Sequence, residues 1–120
     1  MQWKKPSPEL MEYQASIMGS FVADKKKMFG STVYFSNGYM FTGVHEDNIF
    51  LRLSGKDRAE LMAKYGDAVQ FEPLKGRPMK EYMNIPPRLY RDRDAFKQWL
   101  GRSLEYANSL PPKAAKVKKI

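Results

Sequence analysis

"KKKMFGSTVYFSNGYMF", residues 25–41, joins three lysines and a glycine to a run of aromatic and β-branched residues. The Asn37-Gly38 pair inside it is the strongest turn signal in the chain, because a type I′ hairpin turn needs positive φ at both central residues and asparagine and glycine tolerate it. A two-residue turn there sets Ser36 opposite Tyr39, Phe35 opposite Met40, Tyr34 opposite Phe41 and Val33 opposite Thr42. A phosphate-binding loop is the competing reading of the same stretch. It fails on order and on context, since the lysines precede Gly30 and a strand, not a helix, follows it. Lys25, Lys26 and Lys27 are therefore expected to form a solvated approach to an otherwise sticky strand.

A second turn falls at His45-Glu46-Asp47-Asn48, with a third strand from Ile49 to Leu53. If that turn also has two residues, parity sorts the side chains into two faces. Val33, Phe35, Met40, Val44, Ile49, Leu51 and Leu53 make an aliphatic face fit to pack on helices. Tyr34, Tyr39, Phe41, His45, Phe50 and Arg52 make the other.

Helices flank these strands. Ser7-Pro8-Glu9 reads as a helix start, with a hydroxyl cap, proline at the first position and an acid in the first turn. Leu10, Tyr13, Ile17, Met18 and Phe21 recur at helical spacing, which predicts a helix over about residues 8–22. Ser54 caps a second helix that stops near Gly66. Val69 to Phe71 and Met79 to Ile85 read as two further strands around the turn-prone Pro73–Pro78 segment, and Pro86-Pro87 ends the last. A closing helix from about Asp92 to Ser109 turns Phe96, Trp99, Leu100, Leu104 and Ala107 inward. The order implies an α+β class, a two-layer α-β(3)-α-β(2)-α arrangement with an antiparallel sheet packed on helices. One domain over residues 8–110 and a basic, flexible tail over 111–120 are expected.

Composition narrows the function classes. A 42% hydrophobic fraction fits a folded globule, and no apolar run is long enough for a membrane span. "MQWKKPSPEL" lacks the apolar core of a secretory signal, so a cytoplasmic location is expected. The absence of cysteine removes disulfides, thiol catalysis and the commonest structural zinc ligand. The net charge of +8 is concentrated at the ends, in Lys4 and Lys5 and in Lys113, Lys116, Lys118 and Lys119. Such a tail can bind nucleic acid through counterion release without reading sequence.

Met28-Phe29-Gly30, Gly38-Tyr39-Met40-Phe41 and Phe50-Leu51-Arg52, followed in order by Gly76-Arg77-Pro78-Met79, Tyr82 and Pro86, resemble the signature of the TfoX/Sxy family N-terminal domain over roughly residues 10–110. The resemblance implies the same two-layer fold and a role in transcription control, in competence regulation, through protein partners. It carries over no catalytic residue, metal ligand or cofactor. Two departures stand out: Ser31 occupies the place of a second glycine found in many members, and longer members continue into a separate helical domain where this chain ends at residue 120.

The residues themselves propose three surfaces. Tyr34, Tyr39, Phe41 and Phe50 beside Arg52 form a candidate interaction face, suited to stacking on unpaired bases or to burial by helices or a second copy of the chain. The absence of the basic-glycine-aromatic pattern of RNA-binding sheets favours burial, and a homodimer is the expected route. Arg88 and Arg91, with Lys113, Lys116, Lys118 and Lys119, are the candidate polyanion contacts, joined around the last helix by Arg93, Lys97 and Arg102. His45, the only histidine, has no ligand partner at i+3 or i+4 and no nucleophile motif, so an exposed turn residue is expected and an enzyme or ligand site around His45 and Arg52 ranks last. The leading expectation is a non-enzymatic interaction module without cofactor; a direct nucleic-acid binder is the alternative.

Overall fold

The structure is a computed structural model and describes residues 6–28, 30–72, 76 and 79–111. Helix α1 spans Pro8–Met18, followed by strands β1 (Asp24–Met28), β2 (Ser31–Ser36), β3 (Tyr39–His45) and β4 (Asn48–Arg52). Helix α2 (Gly55–Lys64), strands β5 (Val69–Gln70) and β6 (Tyr82–Ile85), the one-turn α3 (Pro87–Tyr90) and α4 (Arg93–Ser109) follow among the described residues. The strands form one antiparallel sheet in the order β1-β2-β3-β4-β6-β5. The expected α+β class holds, with one strand and one short helix more than the sequence pattern indicates.

The helix starts follow their caps. The side chains of Ser7, Ser54 and Asp92 accept from the backbone N–H groups of Leu10, Asp57 and Ala95. The first helix ends at Met18, short of the expected residue 22, where Gly19 and Ser20 offer little helical propensity. The extra helix α3 begins at Pro87, whose fixed φ suits a first helical position as well as it ends a strand. The extra strand is β1. Lys25, Lys26 and Lys27 are not merely an approach to the sheet: they pair with Tyr34, Val33 and Thr32 as its edge strand. Nearly the whole of β1 is exposed, so backbone pairing is its main hold and no apolar alternation marks it in the sequence.

Asn37 (φ 57°) and Gly38 (φ 83°) adopt the expected positive-φ turn. It delivers the first two expected pairs, Ser36 with Tyr39 and Phe35 with Met40. Beyond them the register shifts by one, so that Tyr34 faces Thr42 and Val33 faces Gly43. Phe41 is the extra residue of a β-bulge, and the two further pairs expected from an unbroken hairpin do not form. The turn at Glu46-Asp47 has two residues as expected, with His45 opposite Asn48.

The bulge is held by polar groups from two helices. Gln14 of α1 donates from Nε2 to Thr42 Oγ1 at 2.9 Å, and that hydroxyl donates to Phe50 O at 2.8 Å. Ser103 of α4 sits with its Oγ 2.6 Å from Arg52 O and 3.1 Å from Phe41 O. Ser31 is also buried and donates to Val44 O at 2.7 Å, so a hydroxyl is used where a second glycine would offer none.

Candidate interaction surface

The bulge decides which residues share a face. The helix-covered face of the sheet carries Tyr34, Phe41, Val44, Ile49, Leu51 and Leu53, packed with Ile17, Leu61, Phe96 and Leu100. The outer face carries Val33, Phe50, Phe71 and Tyr82, with Met28, Phe35, Met40 and Met79 half-buried around them. Neither set expected from simple parity survives. Val33, Phe35 and Met40 belong outside, while Tyr34 and Phe41 belong inside, because a one-residue shift exchanges faces. The aromatic face expected from the sequence is therefore split. Tyr34 and Phe41 are buried beneath helices and Phe50 beneath Phe71, so of the two covers expected, the chain's own elements close over these three side chains.

Among the described residues, no helix covers the outer face. Phe71 lies on it instead, stacked on Phe50 at a 4.4 Å centroid separation, with Tyr82 edge-on to Phe50 at 5.9 Å. Backbone bonds from Phe71 N to Tyr82 O and from Met79 N to Phe71 O, each 2.9 Å, hold that cover down. Tyr82 donates its hydroxyl to Met40 O at 2.7 Å, and burial raises its pKa above the usual phenol value. Asn84, opposite Phe50 in the ladder, has the one buried side-chain oxygen among the described residues without a hydrogen-bond partner. At the margin, Lys26 of β1 places its ammonium 4.8 Å from the centre of the Phe35 ring.

Arg52, the fifth residue of the expected face, is instead held by its own neighbours. It pairs with Glu81 at 2.6 Å and lies over the rings of Tyr39, Tyr82 and Tyr106 at 5.0, 5.4 and 6.0 Å. Tyr106 donates to the other Glu81 oxygen at 2.8 Å. Burial acts to raise the Glu81 pKa, but the hydrogen bonds from Arg52 and Tyr106 outweigh it and hold the carboxyl below its ordinary value.

His45 is half-buried, with its ring edge-on to Phe71 at 5.2 Å. It lies opposite Asn48, whereas Arg52 lies at the other end of β4, roughly 13 Å along the strand. The two residues thus stand at opposite ends of the strand, not side by side. Among the described residues, no three His, Asp or Glu side chains come together as cation ligands.

The expected basic cluster is partly neutralised. Arg88 pairs with Asp67 at 2.7 Å and stacks over Tyr65, and Arg102 pairs with Asp57 at 3.3 Å and Glu60 at 3.0 Å while lying over Trp99. The hydrogen bonds from these arginines lower the pKa values of Asp67 and Glu60. Arg93 lies over the Tyr13 ring, and Arg91 is exposed. Lys113, Lys116, Lys118 and Lys119 lie outside the described residues, but the root of their segment is fixed. Asn37 Nδ2 donates to Ala107 O and Leu110 O at 3.1 and 2.8 Å, and Tyr39 donates to Pro111 O at 2.6 Å.

A two-layer α+β domain with one face closed by helices and the other carrying a ring of methionines around stacked aromatics is the class this geometry defines. The sequence pattern of the TfoX N-terminal domain matches residues 22–107, and the chain belongs to that family. The match covers the whole sheet and nearly all of α4; α1, which supplies Gln14 and Ile17 to the bulge and core, precedes it. No curated protein matches the chain. Among the described residues, no helix is long and apolar enough to cross a membrane.

Proposed function

We propose that this chain is a non-enzymatic regulatory module that acts in transcription control by docking a protein partner on the outer face of its sheet. The observation that carries this reading is the half-buried ring of Met28, Phe35, Met40 and Met79 around the Phe50–Phe71 stack. Methionine surfaces adapt to the shape of a partner, and an aromatic floor offers area at low entropic cost. Membership of the TfoX N-terminal family supports the regulatory part, competence genes being the targets that the resemblance implies. The reading includes a cytoplasmic location and no cofactor.

The test is complementation. In a host lacking the gene, transcript levels are expected to shift and the wild-type chain to restore them. Phe35→Ser and Met40→Glu, each retaining a wild-type melting curve, are expected to fail. Full restoration by both variants overturns the reading. The oligomeric state of the pure protein, measured by sedimentation, shows whether the docked partner is a second copy.

Direct nucleic-acid binding is the competing function. Two of the arginines around α4 already carry acidic partners, which leaves Arg91 and the terminal lysines as the main candidates for phosphate contact. Titration of duplex and single-stranded DNA with the full chain and with a chain ending at Pro112, at two salt concentrations, separates the possibilities. Tight binding that survives the truncation at physiological salt favours the nucleic-acid function over partner docking.

A further inference from the structure

The outer edge of the sheet has a chemistry that the methionine face does not share. Strand β1 ends the strand order, so among the described residues no strand lies beyond it and one row of its backbone N–H and C=O groups faces outward. Such an edge is a template for an added strand. Its side chains alternate. Lys26 is opposite Val33 and Met28 packs with the outer cluster, whereas Lys25, opposite Tyr34, and Lys27, opposite Thr32, point to the helix side. Three consecutive lysines thus put positive charge on both sides of one free edge.

We propose that β1 receives an extended acidic segment of a partner protein as a seventh strand, with consecutive Asp or Glu side chains meeting Lys25, Lys26 and Lys27 and an apolar side chain meeting Met28. This deepens the protein-docking reading and rests on it. Three features select this occupant. Opposite charges on directly facing residues stabilise a strand pair and like charges oppose it. A second copy added antiparallel about Lys26 would face Lys26 with Lys26 and Lys25 with Lys27, and Asp24 would fall opposite Met28, so this register, which matches the full strand length, repels a second copy. A nucleic-acid backbone offers phosphates but no row of alternating peptide donors and acceptors, and a strand that spreads its lysines to both sides does not gather them along one phosphate track. A strand of consecutive acids alternates in the same way and meets all three.

The lysines also explain how the edge is kept from indiscriminate pairing. Charged residues on an edge strand discourage neutral or basic strands from adding. They leave an acidic strand as the favoured match, so protection and recognition are one property.

The probe is a labelled, acetylated eight-residue peptide with leucine followed by three acidic residues, titrated against the full chain by fluorescence anisotropy at low and physiological salt. Two further peptides of identical charge carry N-methyl groups on alternate residues, one set for each edge of the peptide strand. Saturable binding is expected. One methylated peptide should bind at least tenfold more weakly and the other should bind as the parent does. Lys25→Glu combined with Lys27→Glu, which leaves Lys26 on Phe35, should abolish binding of the acidic peptide and admit a lysine-run peptide; a melting curve checks that this variant folds.

Equal binding of all three acidic peptides would show charge attraction without strand pairing and overturn the proposal. Displacement of the peptide by a duplex oligonucleotide at equal charge concentration would overturn it in favour of a phosphate site. Self-association that is lost in the Glu variant would overturn it in favour of a second copy. If the acidic peptide fails to bind while Phe35→Ser and Met40→Glu still abolish complementation, only this inference falls. If those two variants complement fully, the docking function falls whatever the peptide does.

Discussion

The two faces of the sheet are built from similar residues and closed by different means. On the inner face, Phe41, Ile49 and Leu51 are fully buried under helices whose own apolar stripes match them. On the outer face, Val33 and Phe50 are nearly as buried, but one aromatic segment covers them and the surrounding methionines stay half-exposed. Hydrophobicity alone therefore does not tell the core from the proposed docking surface. What differs, among the described residues, is whether helices supply a second layer. The inner face is expected to answer to substitution with stability, and the outer face with partner affinity.

The sharpest way to break that comparison is Phe41→Ala. The site is fully buried and bounded by helices that cannot collapse freely, so a loss of about 3–5 kcal/mol is expected from the missing ring and the cavity left behind. Urea unfolding measures it. A loss below about 1 kcal/mol would mean that the inner face is not the core.

The bulge comes next, because it assigns residues to faces. Ser103→Ala removes the hydroxyl beside Arg52 O and Phe41 O and should cost about 1–3 kcal/mol for the carbonyl left short of a donor. Gly43→Ala should cost a similar amount, about 1–3 kcal/mol, from crowding. A Cβ there would stand 2.7 Å from Val33 Cγ1 and 3.0 Å from Phe50 Cζ, and the β-branched Val33 has little freedom to move aside. If Gly43→Ala is neutral by the same urea measurement, the outer face is looser than the packing of Val33 and Phe50 implies.

These residues also mark where the sequence was legible. Serine and aspartate caps, the Asn37-Gly38 turn and helical spacing are local signals, and the elements they predict are present. Phe41 is different. Nothing in "GYMFTGV" announces that one residue is extra, because the cause lies far along the chain, in Gln14 and Ser103. A single extra residue then placed Tyr34 and Phe41 of the candidate face in the helix-covered layer, while Arg52 found its partners in Glu81 and Tyr106, distant in sequence. Strand β1 escaped for the opposite reason: its pairing lies in the backbone, and its lysines carry no apolar period to read. The methionine ring combines Met28, Met40 and Met79 from three separated segments, and only the finished sheet brings them together.

A smaller effect is expected from pH at the border between the two faces. The Glu81 carboxyl is held below its ordinary pKa once the Arg52 and Tyr106 bonds outweigh burial. A depressed folded pKa means that the contribution is complete above the unfolded value of roughly 4.3 and is lost as pH falls through the folded value. Melting temperature should thus decline below about pH 4.3, and Glu81→Gln should flatten that part of the decline while leaving the curve near neutrality parallel to the wild type. An unchanged acid limb in Glu81→Gln would mean that the pair is not populated in solution. Glu81 is partly exposed, with a side chain 35% accessible, so solvent screening keeps the effect modest.

The smallest stability change is expected where the functional change is largest. Met40→Gln alters a half-buried side chain, while the backbone oxygen that receives the Tyr82 hydroxyl remains in place. Unfolding free energy should move by no more than about 1 kcal/mol, near the range of ordinary surface substitutions. Complementation should nevertheless fall, because the amide would sit in the middle of the proposed contact and lose its water on docking without an assured partner. The pair of readings is what gives this variant its force. Loss of both stability and function would return Met40 to the core and erase the distinction between the faces. Retention of both would place Met40 outside the contact, and Phe35→Ser and Met40→Glu then decide whether the docking reading stands.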